Sequence, residues 1–193
     1  MAYQPKILAF AGSTRKDSLN KKTVKIAAEG AQKAGALVTF IDLKEFPVPL
    51  YDGDDEAANG LPEHAIRLQD IMLEHDGFLV SSPENNSGIS GVLKTYIDWT
   101  SRPRGEMKAG ACYAGKVVSV MAASPGGLGG IRGLPQVRSI LGTMGVIVLP
   151  DDFALAKAHE AFNDDGSAKS DYVRNALEKL GKNTAEILLK LKG

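Results

Sequence analysis

The chain has 193 residues, the length of one domain, and enough of them to bury a sizeable core. Its 23 basic residues balance 23 acidic ones for a formal net charge of +0, which argues against a nucleic-acid binder or a membrane-surface protein. A lone cysteine, Cys112, excludes an intrachain disulfide and fits a reduced, cytoplasmic setting. The opening MAYQPK runs directly into a strand pattern, so no signal peptide is expected. No apolar run approaches the ~20 residues of a bilayer span. There is no internal repeat and no low-complexity segment, and residues 1–193 read as one domain.

Ile7–Ala11 is apolar on both faces, as a central parallel strand should be. A helix follows from about Ser18 to Ala34, with Ser18 as N-cap and Gly35 as stop. Ala36–Leu43 is β-rich and reads as a second strand. Residues 44–61 carry Pro47, Pro49, Gly53, Gly60 and the acidic cluster Asp52–Glu56, and read as an irregular, solvated connection. A helix opens at Pro62 with Ala65, Leu68 and Met72 on one stripe.

Gly77–Ser82 is a third strand, followed by the turn-rich SPENNSGISG and a helix from about Val92 to Ser101. Val117–Ala123 is a fourth strand, and it too ends in a turn-rich loop, SPGGLGG. Leu134, Val137, Leu141 and Met144 share one face of the next helix, with Pro135 confined to its first turn. Val146–Leu149 is a fifth strand, residues 151–168 read as a long surface connection, and a last helix spans about Ser170 to Leu191. Five β-α units predict an α/β, flavodoxin-like three-layer sandwich with a parallel sheet in the order 2-1-3-4-5. A six-stranded dinucleotide fold would need a strand that is absent.

Three loops follow strand carboxyl ends: residues 12–20, 82–91 and 124–130. In this strand order they line one crevice, where the order reverses and ligands bind. The first loop places Ser13, Thr14, Arg15, Ser18 and Asn20 at a helix start, where unpaired N–H groups and the helix dipole favour an anion. Arginine suits a phosphate dianion through paired donors. The loop contains neither GxxxxGK[ST] nor GxGxxG. SPENNSG offers short polar groups suited to the edge of a flat heterocycle, and SPGGLGG lets the backbone approach a ring. Each loop also has a plainer reading: a capped turn, a helix lead-in, a flexible glycine run.

With these loops in hand, the sequence resembles the NADPH-dependent FMN reductase family of flavodoxin-like proteins, a group that includes quinone, azo-dye and chromate reductases. The matching stretches are GSTRKDSLN (12–20), SPENNSGISGVLKTYIDWTSR (82–102) and SPGGLGGIRG (124–133), with AHEAFNDDGS (158–167) a weaker match. The resemblance implies FMN as bound cofactor and NADPH or NADH as co-substrate. It implies that Ser13, Arg15, Ser18 and Asn20 hold the FMN phosphate. Pro83, Glu84, Asn85 and Asn86 would run along the isoalloxazine, and Ser124, Gly126 and Gly127 would close the other side. This chain departs from the family where Asn85 replaces the usual tyrosine and Ser90 the usual proline.

A flavin carries its own redox chemistry, so no acid–base residue and no metal ligand is nominated. His64, His75 and His159 fall away from the three loops and read as structural or solvated; Cys112 reads as a bystander. Tyr96, Ile97 and Trp99 read as packing residues or contributors to a subunit interface, since the family forms dimers or tetramers. The expected activity is ping-pong hydride transfer from NAD(P)H through FMN to a quinone, azo compound or similar small acceptor. Two other readings stay open: a flavodoxin-type electron carrier, and a binding or sensory protein with weakened FMN affinity.

Overall fold

A computed structural model describes residues 3–192. The strands of the main sheet are β1 (Lys6–Ala11), β2 (Leu37–Phe40), β3 (Gly77–Ser81), β6 (Val117–Ala123) and β7 (Ile147–Leu155). A short hairpin, β4 (Glu84–Asn85) and β5 (Gly88–Ile89), lies between β3 and β6 in the chain. The helices are α1 (Leu19–Lys33), α2 (Gly53–Asn59), α3 (Glu63–Leu73), α4 (Gly91–Thr100), α5 (Leu134–Thr143) and α6 (Asp171–Lys192). The sheet is parallel in the order β2-β1-β3-β6-β7, which is the predicted 2-1-3-4-5 once the hairpin is set aside.

The sheet is apolar on both faces because both are covered. Ile7, Ala9 and Ala11 pack beneath α1 and α6, while Leu8, Phe78 and Val80 pack beneath α3, α4 and α5. Two glycines allow α1 and α6 to cross closely. A Cβ on Gly30 would lie 2.1 Å from Glu178 O, and one on Gly181 would lie 1.8 Å from Ala27 O.

Three expectations are corrected. The second strand is shorter than Ala36–Leu43, because the chain leaves β2 after Phe40 and turns at Leu43–Glu45. The fifth strand runs on to Leu155, so residues 151–155 belong to the sheet and not to a surface connection. Pro150 sits within it because an edge strand need not donate there, and pairing shifts around it, from Val118–Val148 to Val120–Asp152.

The acidic cluster is no free solvated loop. Asp52 caps α2, accepting from Asp54 N at 2.8 Å. Glu56 accepts from Arg102 Nε and from Tyr51 OH, each at 2.9 Å. Hydrogen bonding from Arg102 holds the Glu56 carboxyl below the usual range. Of the two readings of Tyr96, Ile97 and Trp99, packing is the one seen: all three are buried within the chain. Trp99 Nε1 donates to Pro49 O at 2.8 Å and its ring meets Tyr51 edge-on at 5.0 Å. The segment preceding α2 therefore straps over the helix face that would have been open to a partner.

Candidate functional site

The carboxyl ends of β1, β3 and β6 open into a crevice of about 260 Å³. It lies where the strand order reverses, between β1 and β3. Ser13, Arg15, Ser18, Asn20, Pro83, Glu84, Asn85 and Ser124 all line it, drawn from three loops remote in sequence. Asn86, Gly126 and Gly127 do not line it. Gly12, Thr14, Leu19, Ser90, Val92, Ala123 and Pro125 complete the wall. Of these, only Ala123 lies outside the stretches singled out from sequence; it is an ordinary strand residue with no local signal.

The first loop is shaped by its own hydrogen bonds. Gly12 N donates to Ser81 O at 2.9 Å, and Ser13 N turns back to Ala11 O at 2.7 Å. Ser13 Oγ accepts from Arg15 N at 3.3 Å. Ser18 caps α1, its Oγ accepting from Lys21 N at 3.4 Å and its carbonyl from Lys22 N at 3.2 Å. That leaves the N–H groups of Leu19 and Asn20 at the crevice without intrahelical partners. Arg15 is exposed and forms no ion pair among the described residues.

Asn20 is a clamp as well as a lining residue. Its Nδ2 donates to Ala123 O at 2.9 Å, and its Oδ1 accepts from Ala123 N at 2.9 Å and from Ser81 Oγ at 2.8 Å. One amide hydrogen remains for a ligand.

The second loop is the β4–β5 hairpin. Asn86 and Ser87 are its central residues, at φ 51° and 66°, the left-handed pair of a type I′ turn. Asn86 therefore occupies the turn tip, while Asn85 stands exposed at the crevice rim. Glu84 reaches the third loop. It accepts from Arg132 Nε at 2.8 Å, Arg132 Nη2 at 2.5 Å, Arg132 N at 2.9 Å and Gly133 N at 3.2 Å. Burial alone would raise the Glu84 carboxyl, but these bonds outweigh it and hold the group below the usual carboxylate range. Sequence reading placed Glu84 along a ring; the partner it missed, Arg132, lies within the quoted SPGGLGGIRG.

In the third loop the glycines divide into two kinds. Gly129, at φ +64°, would put a Cβ 2.6 Å from Ala156 N, and Gly130, at φ +93°, would put one 2.8 Å from Ala122 Cβ. These two are required by the loop's own packing. Gly127 meets nothing within 4 Å, and Gly126 is anchored through its N–H to Ser124 Oγ at 3.2 Å. The start of the weaker matching stretch supports this loop, with Ala158 N donating to Ser124 O at 3.0 Å.

Glu84 is the one acidic residue on the crevice wall and its charge is met by Arg132, so Arg15 and the α1 N-terminus leave the cradle positive. None of the three histidines lines the crevice. His75 lies next to the start of β3, at the other end of the sheet, bonded to Ile71 O at 2.6 Å and Thr39 Oγ1 at 2.8 Å. Cys112 is fully buried, with burial pushing its thiol up to about 11. Among the described residues no group of three or more His, Cys, Asp or Glu could hold a metal ion, and no helix is long and apolar enough to cross a membrane.

The arrangement has counterparts. The NADPH-dependent FMN reductase family pattern matches residues 5–160, a span that takes in all three loops. A quinone reductase of Pseudomonas putida is 33% identical over 162 residues, 83% of this chain and 82% of that protein. A probable NADPH:quinone oxidoreductase of Oryza sativa is 28% identical over 193 residues, covering 97% and 91%. Among solved structures, a flavoenzyme NAD(P)H:(acceptor) oxidoreductase from Paracoccus denitrificans superposes with a TM-score of 0.77 at 28% identity, over 96% of this chain and 98% of that one. The chain belongs to the NADPH-dependent FMN reductase family.

Proposed function

We propose that this chain is an NAD(P)H-dependent, FMN-containing oxidoreductase of quinone-reductase type, one domain over residues 1–193, with the crevice as its flavin site. The observation that carries the site is the convergence of three loops on one crevice whose first loop offers an unpaired Arg15 and open helix N–H groups. That donor set suits a phosphate dianion beside a flat ring. FMN, when bound, supplies the redox chemistry, taking hydride from NAD(P)H and passing it to the acceptor in two separate half-reactions.

The protein binds and orients. Arg15, Ser13 and Ser18 hold the phosphate, with the remaining amide hydrogen of Asn20 alongside. Pro83, Glu84 and Asn85, with Asn86 off the crevice wall at the hairpin tip, would run along one side of the ring, and Ser124, with Gly126 and Gly127 beyond the wall, would close the other. The fixed N–H dipoles around Glu84–Asn86 favour negative charge developing next to them. With Asn85 on the rim in place of a ring, the mouth is open, and nicotinamide and acceptor take turns there. Quinones are the first acceptors to test, azo compounds the second. The reading includes a cytoplasmic setting and a homodimer or homotetramer, the latter resting on the family resemblance and no longer on Trp99.

Purification with FMN, followed by initial-rate measurements with NADH and NADPH against quinone and azo acceptors, tests the function. Yellow protein and parallel double-reciprocal lines are expected. Colourless protein that takes up no FMN and oxidises neither nucleotide refutes it. Sedimentation as a monomer at micromolar concentration refutes the assembly.

A further inference from the structure

Ser90 stands where the second loop turns into α4, and where the family resemblance places proline. The hydroxyl does two things there. It accepts from Leu93 N at 3.1 Å, capping α4, and it donates to Gly12 O at 2.6 Å. Ser90 is 3% exposed, so water does not compete for either bond.

Gly12 meets the same helix turn directly, since a Cβ on it would lie 2.7 Å from Leu93 Cβ. Its N–H is committed to Ser81 O. The Gly12 residue is thus held by β3 on one side and by α4 on the other. From it the cradle springs: Ser13 turns back on Ala11 O, and Ser13 Oγ receives Arg15 N. A continuous run of hydrogen bonds and one peptide connects Ser90 Oγ to the backbone of Arg15.

We propose that Ser90 is a positioning residue for the phosphate end of the crevice. It fixes the Gly12–Ser13 peptide and so aims Ser13 and Arg15 at the ligand phosphate, a role that proline, lacking a hydroxyl, cannot fill. The proposal deepens the FMN reading and rests on it. A hydroxyl serving only as a helix cap would affect the stability of α4 and leave the choice between phosphorylated and unphosphorylated flavin untouched.

Ser90→Pro removes the hydroxyl and with it both bonds, and the comparison of FMN with riboflavin separates the two roles. The φ of −67° at Ser90 already fits proline, and Ser90 N donates no hydrogen bond among the described residues, so the backbone is kept while the tether goes. Ser90→Ala is the second variant. FMN and riboflavin are titrated into flavin-stripped full-length protein by quenching of flavin fluorescence, riboflavin being the same ring without the phosphate. Both variants are expected to weaken FMN about five- to tenfold, the worth of one buried hydrogen bond, and to leave riboflavin within about twofold. FMN affinity unchanged in both variants, or FMN and riboflavin weakened equally, overturns the proposal. Unaltered protein that binds neither flavin, or binds both equally, takes down the phosphate reading and this proposal with it, so the two failures are told apart.

Discussion

Asn20→Ala should be the costliest polar substitution at the crevice. The side chain is 4% exposed and makes three hydrogen bonds of 2.8–2.9 Å, two to Ala123 and one from Ser81. Removing it strands the Ala123 N–H, the Ala123 carbonyl and the Ser81 hydroxyl, in residues 4% and 0% exposed. Each buried group left unpaired costs about 1–3 kcal/mol, partly relieved if water enters the crevice end. The sum is about 3–5 kcal/mol, a large part of the 5–15 kcal/mol that holds an ordinary domain together. For a chain of this size that lowers Tm by roughly 6–20 °C. Urea unfolding of the flavin-free protein is the assay, with Ser81→Ala as comparison. Ser81→Ala gives up one bond and leaves Oδ1 still satisfied by Ala123 N, so it should cost only about 1 kcal/mol. An Asn20→Ala variant within 1 kcal/mol of the unaltered protein, or no worse than Ser81→Ala, refutes the clamp.

Arg15→Ala should weaken FMN roughly 10- to 100-fold, leave riboflavin affinity alone and leave the flavin-free melting temperature unchanged, because the guanidinium has no partner among the described residues to lose; unchanged FMN affinity moves the phosphate elsewhere. The Glu84 carboxyl lies below its usual range, so its link to Arg132 is fully present above a carboxylate's ordinary pKa of about 4.3 and is lost as pH falls through the depressed value. Unaltered protein and Glu84→Gln should therefore hold FMN alike from neutral pH down to about pH 4 and differ only below it; a difference that begins near pH 6 counts against this assignment. Cys112, buried and with its thiol pushed up to about 11, should not react with a disulfide reagent at pH 8 until guanidinium unfolds the protein, when one thiol per chain appears.

The central strands could be read because a parallel strand covered on both faces is buried at every position and so mostly apolar, and Phe78–Ser81 and Val117–Ala123 are, with Ser81 and Ser119 the buried hydroxyls among them. The site could be read because the topology rule turns three unremarkable loops into one place. What failed depends on long-range partners. GDDEAAN is short and buries no residue, so its local signals, the Asp52 cap and an acidic first turn, do not suffice, and α2 is held besides by Arg102 of a distant segment and by the Pro49–Trp99 bond. Tyr96, Ile97 and Trp99 carry the pattern of an apolar helix face, and nothing local says that residues 49–51 will cover it. The end of β7 was lost because Pro150-Asp151-Asp152 spells a turn everywhere except at a sheet edge.

Many of the side chains that mark this crevice in sequence are engaged with the protein. Ser18 caps α1, Asn20 ties β1's loop to β3 and β6, Glu84 ties the hairpin to the third loop, and Ser124 holds Gly126. At the phosphate end the side chains of Thr14 and Arg15 have no hydrogen-bond partner among the described residues, and Arg15 is the charged one, helped by backbone N–H groups at the helix start. The pattern therefore specifies the shape of the cradle more than its contacts. This is why a change such as serine for proline at position 90 belongs to the same set: a site built from loops is only as well aimed as the bonds that fix those loops, and Ser90 supplies one of them.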